Sequence, residues 1–361
     1  MTSENTEYSL KPIVIIAADE KLSSNDLTLY QNKVQTCVKL VQAVISELLE
    51  VQGFPGRVLS LENKDEIDVF TSVYTVSQLH DMDRNFIWES LAREIFSLLG
   101  KYTHSKVIGF LTCAKYVKVD NDVVPKTYID VLRRTRGYAM CAVGGFALIG
   151  MATFYAWPSA IEDIPKYLTD KTIVDRTKYQ DGSCMRGTWG SCYSSTMGAI
   201  LHEILHLFDV VHYKEGIMGQ GFMDMDKFLL QHFLKGTAQL QRSKIELFPD
   251  KTSQVVFDET KMEDFGGFYL DRASLVTLAL SKYLNKFEDI NVNIKRLGSS
   301  LSSPAGLRFI SVRNEDMTVR HWEFLGETPP KVFTIPTLIS TSELVVFAID
   351  SFGNNAKFNW S

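Results

Sequence analysis

The histidine-rich stretch at residues 202–219, HEILHLFDVVHYKEGIMG, constrains this chain more than any other segment. It holds three of the seven histidines in a sequence of 361 residues. His202 and His206 are four residues apart, so a helix places both imidazoles on one face, one turn apart. Glu203 points about 100° away around the same helix. It can therefore lie beside a cation held by the two histidines, where a general base for an activated water belongs.

His212 adds a third imidazole, but it follows His206 by six residues, and a straight helix does not place both on one face. The helix must therefore end, and the chain must turn, near Asp209. Asp adopts the left-handed conformation of such turns more readily than most residues other than glycine. Chance is a weak explanation: average residue usage produces HExxH in about one chain of this length in a hundred, and the third histidine lowers that about fifty-fold.

Charge and cysteine content narrow the function classes and the cellular context. The net charge of −5 and the pI near 5.9, with no basic block, argue against a general nucleic-acid-binding protein. The N-terminal segment has no basic region followed by a long apolar run, so we expect no secretory signal. The five cysteines are scattered and include no CxxC pair, which indicates reduced thiols. We therefore expect a cytoplasmic or nuclear protein.

The most apolar run, at 140–157, is near the lower length limit of a membrane span. It contains three glycines and many β-forming residues, and no positive-inside pattern flanks it. A buried pair of strands, or a strand followed by a loop, fits these features better than a membrane helix. We expect no interaction with a membrane.

The first hundred or so residues alternate between strand and helix patterns. We predict strands at 11–19, 57–62 and 106–113, a long helix from Asn25 or Asp26 to about Val51, and a second helix at 87–99. A β-α-β-α-β order predicts a mainly parallel sheet flanked by helices.

The helix with the histidines is predicted to begin at Ser194 or Ser195, either of which could cap it, after an irregular segment at 158–193. It is apolar on most sides, so we expect a buried central helix. Two histidines and a glutamate on such a helix need polar partners, and a metal ion with its water would satisfy all three.

Two more helices are predicted, at 224–235 and 268–288; His232 on the first of them is better explained by a structural hydrogen bond than by metal binding. Beyond them, short strands alternate with Pro, Gly and Ser turns, which predicts a small antiparallel β-sandwich. We therefore expect an α+β protein with a catalytic domain at 1–290 and a β-rich C-terminal module at 298–361.

The spacing His202-Glu203-x-x-His206-x-x-x-x-x-His212, followed by Met218 in the turn GIMG, resembles the metzincin clan of zinc endopeptidases. The longer sequence HLFDVVHYKEGIMGQGF, at residues 206–222, is similar to a family of eukaryotic zinc metalloproteinases. Members of that family have Phe-Asp before the third ligand and a GIMG-like turn. The resemblance implies one zinc ion bound by the three histidines, Glu203 as the base, and Met218 in a Met-turn that forms the floor of the site.

The specific resemblance covers about twenty residues and extends loosely over 1–290, with two departures. Most metzincins have glycine where this chain has Asp209. Gln220 occupies a position at which some metzincins have a tyrosine that stabilises the transition state, and Tyr213 is the candidate for that role here.

Taken together, these features predict a zinc-dependent metalloendopeptidase that acts on a peptide or protein. Two alternatives stay open: a zinc-stabilised binding protein without activity, and a metal hydrolase of a non-protein substrate. The intact Glu203 and a set of three rather than four protein ligands favour catalysis. A substrate peptide could add to a free strand edge within 140–157. The C-terminal module could bind a protein or a glycan.

Overall fold

The computed structural model describes residues 8–62, 66–98, 104–118, 124–235, 267–287, 290, 292–314, 317–326, 328–337 and 343–360. The strands that precede the histidine helix are β1 (Ser9–Ile16), β2 (Asp68–Thr71), β3 (Ser105–Leu111), β4 (Lys115–Tyr116), β5 (Thr135–Arg136), β6 (Met140–Val143) and β7 (Phe146–Gly150). The helices are α1 (Ser24–Val51), α2 (Val76–Asp81), α3 (Arg84–Leu98), α4 (Tyr128–Arg133), α5 (Ile164–Leu168), α6 (Trp189–Leu207), α7 (Met225–Lys235) and α8 (Arg272–Ala279).

The described part of the chain has a central sheet of five strands in the order β2-β1-β3-β7-β6. Its neighbouring strands pair in parallel except for β6, which is antiparallel to β7 and lies at the edge. Leu10 and Val14 of β1 pack with α1 and α6, whereas Ile13 and Ile15 face α3. This alternation separates two hydrophobic cores, one on each face of the sheet. The predicted mainly parallel sheet flanked by helices is confirmed.

The apolar run at 140–157 is a hairpin. It contains β6 and β7, followed by a 3-10 turn at Phe154–Ala156. The predicted strand pair is confirmed, but only β7 is buried, because β6 is a partly exposed edge strand. Among the described residues, no helix combines the length and the apolar composition needed to cross a membrane.

Two predictions in the N-terminal part were wrong in detail. Ser23, not Asn25 or Asp26, caps α1: its side chain accepts from the Asp26 N–H, and the Asp26 carboxylate accepts from the Ser23 N–H. Residues 57–62 are not a ladder strand. Only Leu61 bridges β1, and β2 takes the place beside β1 instead.

The histidine helix begins earlier than predicted. Thr188 is its N-cap, and neither Ser194 nor Ser195 has that role. Both serines are buried in the middle of the helix, and their side chains form hydrogen bonds to residues outside it. Ser194 donates to Asp226, and Ser195 accepts from Arg186. The segment predicted to be irregular at 158–193 contains α5 and the first residues of α6.

The predicted helix at 268–288 was too long, because α8 ends at Ala279. Asn285 donates to the carbonyls of Ala279 and Ser281, at 2.8 and 2.7 Å. Side-chain bonds to these carbonyls replace the backbone donors that a longer helix would supply. The helix predicted at 224–235 is confirmed as α7.

The C-terminal region is β-rich, as predicted. Its strands are β8 (Lys295–Leu297), β9 (Ser300–Ser302), β10 (Leu307–Asn314), β11 (Met317–Glu323), β12 (Val332–Thr334), β13 (Leu344–Asp350) and β14 (Asn355–Trp360). They form two antiparallel sheets among the described residues, in the orders β11-β10-β13-β14 and β12-β9-β8. Leu301 of the smaller sheet and Ile310 of the larger one share one core, which fits a sandwich. The domain boundary between 290 and 298 stays a prediction.

Candidate metal centre

Helix α6 contains His202, Glu203 and His206, all three partly buried. The helix is buried along most of its length between the sheet and the loop that follows it. Gly198 is essential to this packing, because a Cβ there would lie 1.9 Å from the carbonyl oxygen of Phe222. The close approach places residues 216–222 against the same helix that contains the histidines.

The chain turns after α6 as the sequence predicted. Asp209 has a φ of +64°, in the left-handed region that residues other than glycine rarely adopt. The turn returns His212 to the end of the helix. His206 Nε2 lies 3.1 Å from His202 Nε2 and 3.2 Å from His212 Nε2. The three histidines therefore converge on one point, and among the described residues they form a cluster that could hold a metal ion.

The other ring nitrogens fix how two of the imidazoles are oriented. His202 Nδ1 lies 2.8 Å from the Ile217 carbonyl oxygen, and His206 Nδ1 lies 2.9 Å from that of Val210. With a carbonyl as partner, each Nδ1 must donate its proton, which leaves a lone pair on each Nε2. Two lone pairs 3.1 Å apart repel each other, and a cation bound between them would relieve that repulsion.

The donor set and its geometry fit zinc. Two nitrogens at roughly 2.0–2.1 Å from one tetrahedral zinc lie about 3.3 Å apart, close to the spacings seen here. The pKa of His202 is lowered to about 4, mainly by burial and also by the two neighbouring histidines, although the bond to the Ile217 carbonyl acts in the opposite direction. His202 is thus neutral at physiological pH, which is the form that binds metal.

Glu203 lies beside this cluster and next to the edge strand β6. Burial raises the pKa of its carboxyl to about 7, while the charge of Arg84 and a hydrogen bond from the Ala142 backbone act in the opposite direction. Because Ala142 belongs to β6, that bond shows that the outer edge of the sheet faces Glu203. A proton acceptor, a cluster of imidazoles and an open strand edge therefore meet in one place.

Met218 lies in a tight turn next to the residue that contacts His202. It is buried, and the preceding residue, Ile217, supplies the carbonyl bonded to His202. The amides of Gly219 and Gly221 both donate to the carbonyl of Gly216, at 3.0 and 2.8 Å, and these bonds close the turn.

Other residues singled out from the sequence have less direct connections to the site. Tyr213 packs against the main core and donates its N–H to the Met218 carbonyl; its role in the reaction stays a prediction. His232 lies on α7, and its side chain is outside the described residues.

Sequence reasoning missed four contributions to the site: the carbonyls of Val210 and Ile217, the charge of Arg84, and the backbone of Ala142. Three of them are backbone groups, which no residue pattern identifies. Arg84 lies more than a hundred residues from Glu203 in the chain.

Comparison with known proteins assigns the chain to a family of peptidases. The model of a family described as "Putative peptidase family" matches residues 12–256, which is more than half of the chain. The chain belongs to this family. Within the match lie the histidine cluster and Glu203.

A curated relative of this peptidase family member is named "Putative zinc metalloproteinase", from Saccharomyces cerevisiae. It is 25% identical over 243 residues, which cover 62% of this chain and 34% of the relative. The chain therefore spans about a third of that relative's length.

Solved structures of OgpA from Akkermansia muciniphila share the fold. One is a catalytically inactive form in complex with an O-glycopeptide substrate, with a TM-score of 0.53 at 11% identity, covering 98% of this chain and 92% of that one. A wild-type OgpA structure has a TM-score of 0.51 at 12% identity, covering 98% and 93%. The likeness therefore includes the C-terminal β region.

Proposed function

We propose that this member of the peptidase family is a zinc-dependent endopeptidase of the metzincin type. His202, His206 and His212 bind one zinc ion per chain, and Glu203 is the general base. The observation that supports this most directly is the convergence of three Nε2 atoms, two of them with Nδ1 atoms paired to backbone carbonyls. A zinc ion at this point supplies a Lewis acid that activates water and polarises a substrate carbonyl.

Glu203 moves the proton in this proposal. Its carboxylate accepts a proton from the attacking water and then donates it to the nitrogen of the leaving amine. A pKa of about 7 suits a group that must both accept and release a proton near neutral pH. The buried position that raises the pKa also keeps bulk water away from the carboxylate.

The edge strand β6 is proposed to orient the substrate. It has an unpaired outer edge within the described sheet, and Ala142 on that edge already contacts Glu203. A peptide that adds to the edge as a further strand would pass directly over the base. Met218, buried in its tight turn, is proposed to be the Met-turn methionine beneath the metal.

We propose a peptide or a glycopeptide as the substrate. The family is one of peptidases, and OgpA, which shares the fold, has been captured with an O-glycopeptide. Both classes contain the amide bond that the proposed site would cleave.

The test combines metal content with cleavage. Zinc per chain is measured by atomic emission on wild type, His206→Ala, Glu203→Gln and the control His321→Gln, whose histidine lies on β11 against Phe309. The same samples are incubated with a peptide library and an O-glycopeptide library. We expect about one zinc in wild type, Glu203→Gln and the control, and none in His206→Ala. Cleavage should fall by about 10²- to 10⁴-fold in Glu203→Gln.

The outcome separates the proposal from its two alternatives. Zinc in wild type without cleavage of either library would indicate a binding protein, or a hydrolase of a non-protein substrate. Cleavage that survives Glu203→Gln would remove Glu203 from its role. Wild type without zinc would contradict the metal centre itself.

A further inference from the structure

The turn between His206 and His212 contains a non-glycine residue, Asp209, with a left-handed backbone conformation. Asp209 adopts a left-handed conformation that glycine would adopt with less strain. The carbonyl of the next residue, Val210, holds His206 Nδ1, and His212 follows two residues later. A shift of this short turn would therefore displace two of the three imidazoles that converge.

The side chain of Asp209 is held by the C-terminal β region. Lys357 Nζ lies 2.6 Å from Asp209 Oδ1, and Asn355 Nδ2 donates to Asp209 Oδ2 at 3.4 Å. Asn355 and Lys357 are two residues apart on β14, so both side chains point to the same face of the strand. The strand thus presents a donor pair to one carboxylate.

His212 itself pairs with the same β region. Its backbone forms a parallel β-bridge with Met317, the first residue of β11. The strands β11 and β14 are the two edges of one four-stranded sheet. A single sheet therefore contacts the turn at both its start, Asp209, and its end, His212.

The Asp209 side chain is held by an ion pair and a hydrogen bond more than by apolar packing. Its carboxylate borders a cavity of about 360 Å³ that is also lined by Lys106 and Asn355. Burial lowers the pKa of Lys106, and lowers that of Arg313 to about 10, while the negative charge of Asp209 acts in the opposite direction on both. With a cavity on one side, the position of Asp209 depends on its charged and hydrogen-bonded partners.

We propose that the C-terminal β module supports the metal centre. Asp209 and Lys357 are positioning residues: they hold His212 and the Val210 carbonyl that accepts from His206 Nδ1. This inference rests on the proposed function for the identity of the metal. It assigns a role to an aspartate at a position where glycine would be the simplest choice. It also accounts for the contact between this module and the end of α6.

Three variants separate anchoring from local turn geometry. Lys357→Met removes the charge but keeps most of the side-chain stem, and Lys357→Arg restores the charge. Asp209→Gly removes the carboxylate while relieving the left-handed strain. Lys178→Met is the matched control, because Lys178 forms an equally short ion pair with Asp175, at 2.7 Å, far along the chain from the turn.

The first readout is zinc affinity, measured by competition with a chromophoric chelator. We expect Lys357→Met and Asp209→Gly to weaken zinc binding about fivefold to tenfold, as losing a partner that orients a metal ligand does, while Lys357→Arg and Lys178→Met stay close to wild type. If the turn alone mattered, Asp209→Gly would bind zinc at least as tightly as wild type. Unchanged affinity in both Lys357→Met and Asp209→Gly would overturn the proposal.

The second readout is independent of metal. In metal-free protein, the amides at 209–213 should exchange hydrogen about fivefold faster in Lys357→Met than in wild type or Lys178→Met, since the ion pair restrains the turn. Equal exchange rates would overturn the positioning role. Wild type that binds no zinc would refute the proposed function, and the exchange rates would still decide whether the module holds the turn.

Discussion

Replacing the candidate base should stabilise the metal-free protein in alkaline solution. Burial raises the pKa of Glu203 from 4.5 to about 7, so the folded state disfavours its carboxylate. Below pH 4.5 the carboxyl group is neutral in both the folded and the unfolded state and carries no such cost. Between pH 4.5 and 7 the folded protein holds a proton that the unfolded chain releases, and wild type loses stability as pH rises. Above pH 7 the group is ionised in both states, and the full cost remains.

The size of the effect follows from the shift. The difference between a pKa of 4.5 and one of about 7 corresponds to about 3 to 4 kcal/mol, at about 1.4 kcal/mol for each unit of pKa. Glutamine has nearly the same shape and cannot ionise. Metal-free Glu203→Gln should therefore exceed wild type by about 3 kcal/mol in free energy of unfolding at pH 8.5, and by much less near pH 4.

Urea unfolding followed by circular dichroism, in the presence of a chelator, measures this difference at each pH. The slopes of the unfolding curves should match, because the variant exposes the same surface on unfolding. The contributions of other titrating groups cancel in the comparison of the two proteins. A stability difference that does not change between pH 4 and pH 8.5 would refute the reasoning. It would mean that the carboxylate is better solvated than its position beside β6 implies.

Three further changes test the packing around the site by urea unfolding. Gly198→Ala should destabilise the protein by about 3 kcal/mol, because its Cβ would meet the Phe222 carbonyl; a loss below about 0.5 kcal/mol would contradict the close approach. Thr188→Ala should cost about 1 kcal/mol, since it removes the N-cap of α6, and Thr188→Ser should restore most of it. Arg272→Met should cost about 2 kcal/mol by breaking its two-pronged ion pair with Glu323, and an unchanged midpoint would show that α8 and β11 dock without it.

The positions of the histidines relative to one another could be predicted from the sequence. A spacing of four residues brings His202 and His206 together wherever the helix lies, because the relation is set by the backbone. The left-handed turn at Asp209 was predictable for a similar reason, since the distance to His212 leaves no room for more helix. The parallel sheet followed from alternating strand and helix patterns in the first part of the chain.

Local signals failed where several choices were chemically equivalent. Ser194, Ser195 and Thr188 can each cap a helix. In the structure the Thr188 side chain accepts from the Ser191 N–H, whereas both serines are buried within the helix and bond to Asp226 and Arg186. The extended segment at 57–62 has the apolar pattern of a strand. Pairing also depends on the tertiary arrangement, in which β2 pairs with β1 and only Leu61 of this segment bridges it.

The sequence alone thus determined which side chains can meet a metal, because that depends on spacing along one helix and one turn. Tertiary structure decided what surrounds them. The carbonyls of Val210 and Ile217, the edge of β6 beside Glu203 and the contact of Lys357 with Asp209 join segments up to about 150 residues apart. Sequence periodicity does not reveal contacts between residues that lie so far apart in the chain. They arise when the sheet, the helix and the C-terminal module pack together and bury the groups that lie between them.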